Sequence, residues 1–316
     1  MLFRFGRSSN WWGQSITRSI IQSGLYTSFN HFSLQYKIAN IYLELLSGQL
    51  GSGKNLEGQR IKRNIAGNRL IWEISNKTLI TFGEQIIYTG VNRGMELTYL
   101  NPFIPYFFTG LENEEDGFPF DNDNSIIFID FRHIMKNKFS LYGEFIIDDL
   151  QIDDTGIDHA FGYKIGADGK ILINDNNYFL IFEYTQISPW AYLHHGQNTN
   201  WINNKHPIGF PFGPDSKCAQ IKIIADYTNK ISLLADASYL VKGMNTILSE
   251  WNNGSTDYYH ETSDKYFLWK LGMVIKHKWG RFEFGLNSKI YVETTRFPRL
   301  SNKFVIRFDG RGAPTK

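Results

Sequence analysis

From Phe139 to Asp149 the chain reads Phe-Ser-Leu-Tyr-Gly-Glu-Phe-Ile-Ile-Asp-Asp, with apolar and polar residues taking turns. Successive strand side chains point to opposite sides of a sheet. Phe139, Leu141, Phe145 and Ile147 therefore share one face, and Ser140, Tyr142, Glu144 and Asp148 the other. The pattern recurs along the chain. Phe32, Leu34, Tyr36 and Ile38 oppose His31, Ser33, Gln35 and Lys37; Ile231, Leu233, Ala235 and Tyr239 oppose Ser232, Asp236 and Ser238; Phe282, Phe284, Leu286 and Ile290 oppose Arg281, Glu283, Asn287 and Lys289. Further strands are expected at 41–50, 67–75, 78–88, 124–132, 160–166, 178–187, 217–227, 266–277 and 302–308. That makes roughly 13, many near the 9–11 residues that cross a bilayer at a tilt.

The connections alternate as well. Short turns are expected at Ala39-Asn40, Ser75-Asn76-Lys77, Thr228-Asn229-Lys230 and Lys278-Trp279-Gly280, between long loops at 51–66, 89–123, 188–216 and 242–264. Tight turns at one end and large loops at the other suit an outer-membrane barrel better than a soluble β-sandwich or propeller, whose short strands have no reason to keep that rhythm. The expected fold is thus all-β, an antiparallel transmembrane β-barrel of outer-membrane type, forming one domain over 1–316 with a tail at 309–316.

Two segments do not read as strands. Asn10 to Gly24 places Ile16, Ile20 and Ile21 at helical spacing and ends on a glycine stop. Arg93 to Gly110 is interrupted by Pro102 and Pro105. Both are expected to fold into the lumen as a plug. Bacterial single-chain barrels have even strand numbers, and Met1 to Arg7 lacks the apolar core of a signal peptide, so a shortened amino terminus is also expected.

Composition agrees with a barrel. Aromatics reach 16 % while mean hydropathy is only −0.31, a chain polar on average yet rich in large rings. A net charge of +2 gives no reason to expect nucleic acid as partner. The single cysteine, Cys218, supports no disulfide framework, and no apolar run is long enough for a transmembrane helix.

Several motifs in order resemble the capsule assembly protein Wzi family. They are Asn10-Trp11-Trp12-Gly13; Asn68-Arg69-Leu70 followed by Gly83-Glu84; Tyr99-Leu100-Asn101-Pro102; Leu141-Tyr142-Gly143-Glu144 with Asp148-Asp149; Glu183-Tyr184-Thr185-Gln186; and Pro207-Ile208-Gly209 leading to Gly213-Pro214-Asp215. The resemblance implies an 18-stranded outer-membrane barrel with a helical luminal plug, about 13–14 strands of it present here. It also implies a non-enzymatic protein that holds capsular or exopolysaccharide at the cell surface, with outer-membrane lipid around the barrel.

Polysaccharide binding needs aromatic faces for sugar rings and fixed polar groups for hydroxyls. The 188–216 loop offers Trp190, Tyr192, His194, His195 and Trp201; the 242–264 loop offers Trp251, Tyr258 and Tyr259. The competing reading of these rings is an interfacial belt or loop packing. His194 and His195 are neighbours whose side chains diverge in an extended chain, so no metal site is expected, and no cofactor. The carboxylates of 112–123 fail the calcium-loop pattern and read as a solvated acidic loop. Glu84, Glu144, Asp148, Glu183 and Arg281 are expected as luminal polar groups that lock the plug, together with bases such as Arg69 and Arg132. Nucleophile-elbow, phosphate-loop and dinucleotide patterns are missing, so no enzyme is expected. A porin-like channel is the main alternative, and a hydrolase built on paired luminal carboxylates a third.

Overall fold

The computed structural model describes residues 1–54, 57–106, 123–135, 138–149, 159–174, 176–194, 198–228, 231–249, 264–279, 282–293 and 296–308; Asp149, 226–228, 231–232 and, apart from Leu268, 264–308 are described by backbone alone. In chain order the strands are β1 (Leu2–Ser8), β2 (Trp11–Trp12), β3 (Gln22–Ser23), β4 (Phe29–Ile38), β5 (Ile41–Gln49), β6 (Gly53–Lys54), β7 (Arg60–Ser75), β8 (Thr78–Gly90), β9 (Asp123–Met135), β10 (Phe139–Asp149), β11 (Ala160–Ile173), β12 (Asn176–Ile187), β13 (Ile202–Asn203), β14 (His206–Pro207), β15 (Ser216–Thr228), β16 (Ile231–Lys242), β17 (Asp264–Trp279), β18 (Phe282–Glu293) and β19 (Arg296–Phe308).

One antiparallel sheet runs β1-β4-β5-β7-β8-β9-β10-β11-β12-β15-β16-β17-β18-β19, with β6 beside β7, and among the described residues β1 and β19 are its two ends. Each strand on this path pairs with the next strand of the path along the chain, so every pairing is antiparallel. The strand junctions Ile38–Ile41, Ser75–Thr78, Met135–Phe139 and Ile173–Asn176 lie at one end, and the described parts of the longer connections, at 9–28, 50–54, 57–59, 91–106, 188–194, 198–215 and 243–249, at the other. The expected loop at 51–66 is shorter than its sequence suggested, because β7 begins at Arg60. Both faces of that early stretch are covered: Ile61 and Ile65 are buried on one side, Asn64 and Ala66 on the other, so no alternation marks it as a strand.

Burial is inverted relative to a soluble sheet. On β10 Leu141 is 43 % exposed while Glu144, on the opposite face, is 2 % exposed. Ile129, Phe131, Phe145, Ile165, Phe182, Ile221 and Leu233 share the exposed face, and Asp130, Lys164, Glu183, Gln220 and Asp236 the buried one. Apolar-out, polar-in is the arrangement that a bilayer selects and water does not.

The segment expected as a second plug lies elsewhere. Residues 91–106, with one 3-10 turn at Thr98–Leu100, pack Tyr99 and Tyr106 on Ala66, Ile86 and Tyr88. Those three alternate with Gly67, Gln85 and Ile87, so they are on the outer face, the face of the exposed Phe82 and Leu70. The strap therefore covers the outer wall at the long-loop end. Glu84 goes with it: its register partner is Asn68, whose amide donates to it at 2.9 Å, and it accepts the Tyr106 N–H at 2.9 Å. Glu84 is an outer-wall group under the strap, not a luminal one. Residues 107–110 lie outside the described residues.

Candidate functional site

The 10–24 segment occupies the inside without forming the expected helix. Trp11–Trp12 and Gln22–Ser23 pair as a two-residue ladder, and 13–21 follow the walls between them. Six strands converge on this stretch. Arg69 of β7 stacks over Trp12 at 4.6 Å; Gln85 of β8 accepts from Gln22 at 3.0 Å; Arg132 of β9 donates to the Gln14 carbonyl at 3.2 Å. From β10, Glu144 accepts the N–H groups of Ser15 at 2.7 Å and Ile20 at 2.8 Å and the Ser19 hydroxyl at 3.0 Å. From β12, Glu183 accepts the N–H groups of Ile16 at 3.1 Å and Thr17 at 3.2 Å, and the Thr17 hydroxyl also reaches Gln220 of β15 at 3.1 Å. A sheet can meet one short segment from six strands only by curling around it.

These carboxylates are also tied to their own wall. Glu183 takes a hydrogen bond from Tyr142 at 2.8 Å and pairs with buried Lys164 at 2.9 Å. Arg69 pairs with Glu44 at 2.6 Å, and Arg132 with Asp168. The bases named from sequence do form ion pairs, though with acids other than Glu144 and Glu183. Two glycines make the close fit possible. A Cβ on Gly67 would meet the Trp12 ring at 2.9 Å, and one on Gly13, whose φ is +119°, would collide with the Ser19 hydroxyl and the Glu144 carboxylate.

The 188–215 loop folds inward over the plug instead of standing out as a platform. Trp190, Tyr192 and Trp201 are 2 %, 0 % and 1 % exposed and pack with Ile20, Ile21, Ile208 and Phe210. Buried on all sides, these rings have no face for a sugar in this conformation; their expected role is corrected to core packing. Tyr192 links the layers. Its N–H goes to Asp148, its hydroxyl donates to the Ile20 carbonyl at 2.5 Å, and burial raises its pKa, keeping that proton in place. The His194 N–H donates to Asn200 at 3.1 Å. His195, Trp251, Tyr258, Tyr259, Arg281 and the acidic stretch 112–122 lie outside the described residues.

Sequence reasoning missed the group that fixes this loop. Arg63, buried on the inner face, donates to the carbonyls of Asn200 at 2.9 Å and Ile202 at 3.0 Å, and also to that of Asn198. Asn203 completes the latch, accepting the Gly51 N–H at 2.8 Å and donating to the Thr27 carbonyl at 2.6 Å. Asn204 and Lys205, with φ of 48° and 68°, form the tip of the β13–β14 hairpin. The Asn-Asn-Lys tripeptide was a visible turn signal, whereas Arg63 had none because its partners are backbone carbonyls far along the chain.

Beside that hairpin lies an open cleft of about 340 Å³ at the long-loop end, lined by Arg7, Asn30, Gln49, Arg60, Asn203 and Asn204 among others. Its walls are amide and guanidinium groups, which suit hydroxyls and carboxylates rather than apolar ligands. Among the described residues no cluster of His, Cys, Asp or Glu could hold a metal ion.

A polar-in, apolar-out antiparallel sheet curled around a carboxylate-anchored plug defines a plugged β-barrel of outer-membrane type. Residues 1–280 match the model of the family described as capsule assembly protein Wzi, and the chain belongs to that family. Among solved structures it is similar to Wzi of Escherichia coli, described as an outer-membrane protein involved in group 1 capsule assembly and a carbohydrate-binding β-barrel. That match has a TM-score of 0.65 and 14 % identity, over 97 % of this chain and 65 % of that one. OccD3 of Pseudomonas aeruginosa matches with a TM-score of 0.49 and 12 % identity, over 92 % of this chain and 69 % of that one. The chain therefore spans less than two thirds of the length of the Escherichia coli protein. No curated protein sequence matches it.

Proposed function

We propose that this barrel binds capsular or exopolysaccharide at the bacterial surface and helps to attach it there, without catalysis. The observation that carries this reading is the combination of a segment anchored to the inner wall by six strands and an open polar cleft at the rim. A porin-like role needs a free lumen, whereas here six strands hold residues 12–22 across it. A hydrolase would need two free carboxylates, whereas Glu144 and Glu183 are already committed to plug N–H groups. The family and the description of the Escherichia coli protein support the ligand class.

The cleft takes over the role first assigned to Trp190, Tyr192 and Trp201. Arg7 and Arg60 favour a chain bearing carboxylates, while Asn30, Gln49 and Asn204 supply donors and acceptors for hydroxyls. The test is binding of purified acidic capsular polysaccharide to the barrel in vesicles. The double variant Arg7→Ser, Arg60→Ser is expected to weaken binding at least tenfold with an unchanged melting temperature, since losing even one charge-assisted contact removes about 1.5–3 kcal/mol. Equal affinity of variant and wild type would remove the cleft from the reading. No binding by the wild type to any acidic or neutral capsular polysaccharide would overturn the function itself.

A further inference from the structure

The strap at 91–106 has a pattern that the binding role does not use. Packed against the outer wall through Tyr99 and Tyr106, it turns Leu97, Phe103 and Ile104 away from the protein; Leu97 is 82 % and Phe103 85 % exposed. Its two charged side chains are not among the exposed positions. Arg93 lies between Glu96, at 2.5 Å, and Asp123, and Tyr99 donates to the same Asp123 at 2.6 Å. A solvated loop of this length has no need to pair its charges and present its apolar side chains.

The wall beneath gives the second reason. Ser47, Asn64, Asn68 and Glu84 are polar groups on the face that elsewhere carries Leu70, Phe82 and Ile129, and the strap satisfies them. Asn64 donates to the carbonyls of Arg93 at 3.3 Å and Gly94 at 3.2 Å; Ser47 approaches the Met95 sulfur at 3.4 Å; Glu84 takes the Tyr106 N–H. Water would satisfy such groups unaided, whereas hydrocarbon would not. The strap also reaches the level of the outward band. Glu84 is two strand positions from Phe82 on the same face, a rise of roughly 7 Å.

We propose that the strap is immersed in the outer leaflet of the membrane, so that acyl chains cover Leu97, Phe103 and Ile104 and the lipid-facing band continues upward over the strap. It acts as a collar that seals a polar stretch of barrel wall from lipid while itself wetting the membrane. This rests on the barrel fold, not on the polysaccharide reading.

Single nitroxide labels at Leu97→Cys and Phe103→Cys test it, in the full chain with the buried Cys218 replaced by Ala, reconstituted in phosphatidylethanolamine–phosphatidylglycerol vesicles. Labels at Phe82→Cys and Asn204→Cys serve as lipid and water references; the strap positions are highly exposed, so labelling them leaves the packing intact. The expected result is an oxygen-to-nickel-chelate accessibility ratio at 97 and 103 close to that at 82 and several-fold above that at 204. Nickel accessibility equal to that at 204 would overturn the proposal. Exclusion of both reagents with spin–spin broadening would also overturn it, assigning the surface to a second copy of the chain.

Discussion

Glu144→Ala removes, in one change, the acceptor for three donors of the plug: the N–H groups of Ser15 and Ile20 and the Ser19 hydroxyl, at 2.7, 2.8 and 3.0 Å. Hydrogen bonds to a buried charged group contribute about 1.5–3 kcal/mol each, so the gross loss is roughly 4.5–9 kcal/mol. Two effects reduce it. The missing carboxylate leaves a polar space that water can enter and in which it can re-satisfy one or two donors. Glu183 still holds Ile16 and Thr17 from the opposite side. A net local loosening of about 3 kcal/mol follows, which for amides exchanging through local opening is a rate increase of about a hundredfold. Hydrogen exchange followed by mass spectrometry, on the protein in vesicles, reads this in peptides covering 12–22, while strands β10 and β11 should keep their protection. Glu73→Ala is the control. Glu73 is half-exposed at a turn and its pair with Lys37 is long, at 3.6 Å, so its loss should change plug exchange by less than about twofold. Unchanged protection of residues 15–20 in Glu144→Ala would refute the claim that wall carboxylates hold the plug.

Other changes test neighbouring links. Gly13→Ala puts a methyl group into Ser19 and Glu144 at a backbone angle that alanine avoids, and is expected to cost about 2–4 kcal/mol and to release the same amides. Arg63→Ala leaves the carbonyls of Asn200 and Ile202 without their donor. Limited proteolysis should then cut first within 198–205, with Arg63→Lys only partly restoring resistance because lysine lacks the fork. Trp190→Ala and Trp201→Ala are core truncations of about 3–5 kcal/mol, so thermal melts should fall sharply. A loss of polysaccharide affinity in either variant with an unchanged melt would restore the aromatic platform.

The strands were legible because a period of two survives whatever the partner is. Phe139 to Asp149 had its faces assigned by alternation alone, and the direction of the apolar face followed from strand length and the rhythm of turns and loops. Lys164 could have been found the same way, being a charge that shares its face with Asp168, opposite Tyr163 and Ile165 on a strand whose outer face is apolar. The helical spacing of Ile16, Ile20 and Ile21 misled for a specific physical reason. A helix satisfies its N–H groups internally, but here those of 15–17 and 20 are satisfied by Glu144 and Glu183, more than a hundred residues away. With wall carboxylates as acceptors, an irregular path costs no hydrogen bonds and brings Ile20 and Ile21 against the lid formed by Tyr192 and Phe210. Glu84 failed in the opposite way. Its shared face with Phe82 and Ile86 pointed outward, and only the expectation that a barrel's carboxylates face inward placed it in the lumen. The strap that makes an outward carboxylate tolerable joins the wall through Tyr106, 22 residues later in the chain, and no local pattern at Glu84 announces it. In both places polar satisfaction over long separation overrode local periodicity, and both lie where the barrel does something besides span the membrane.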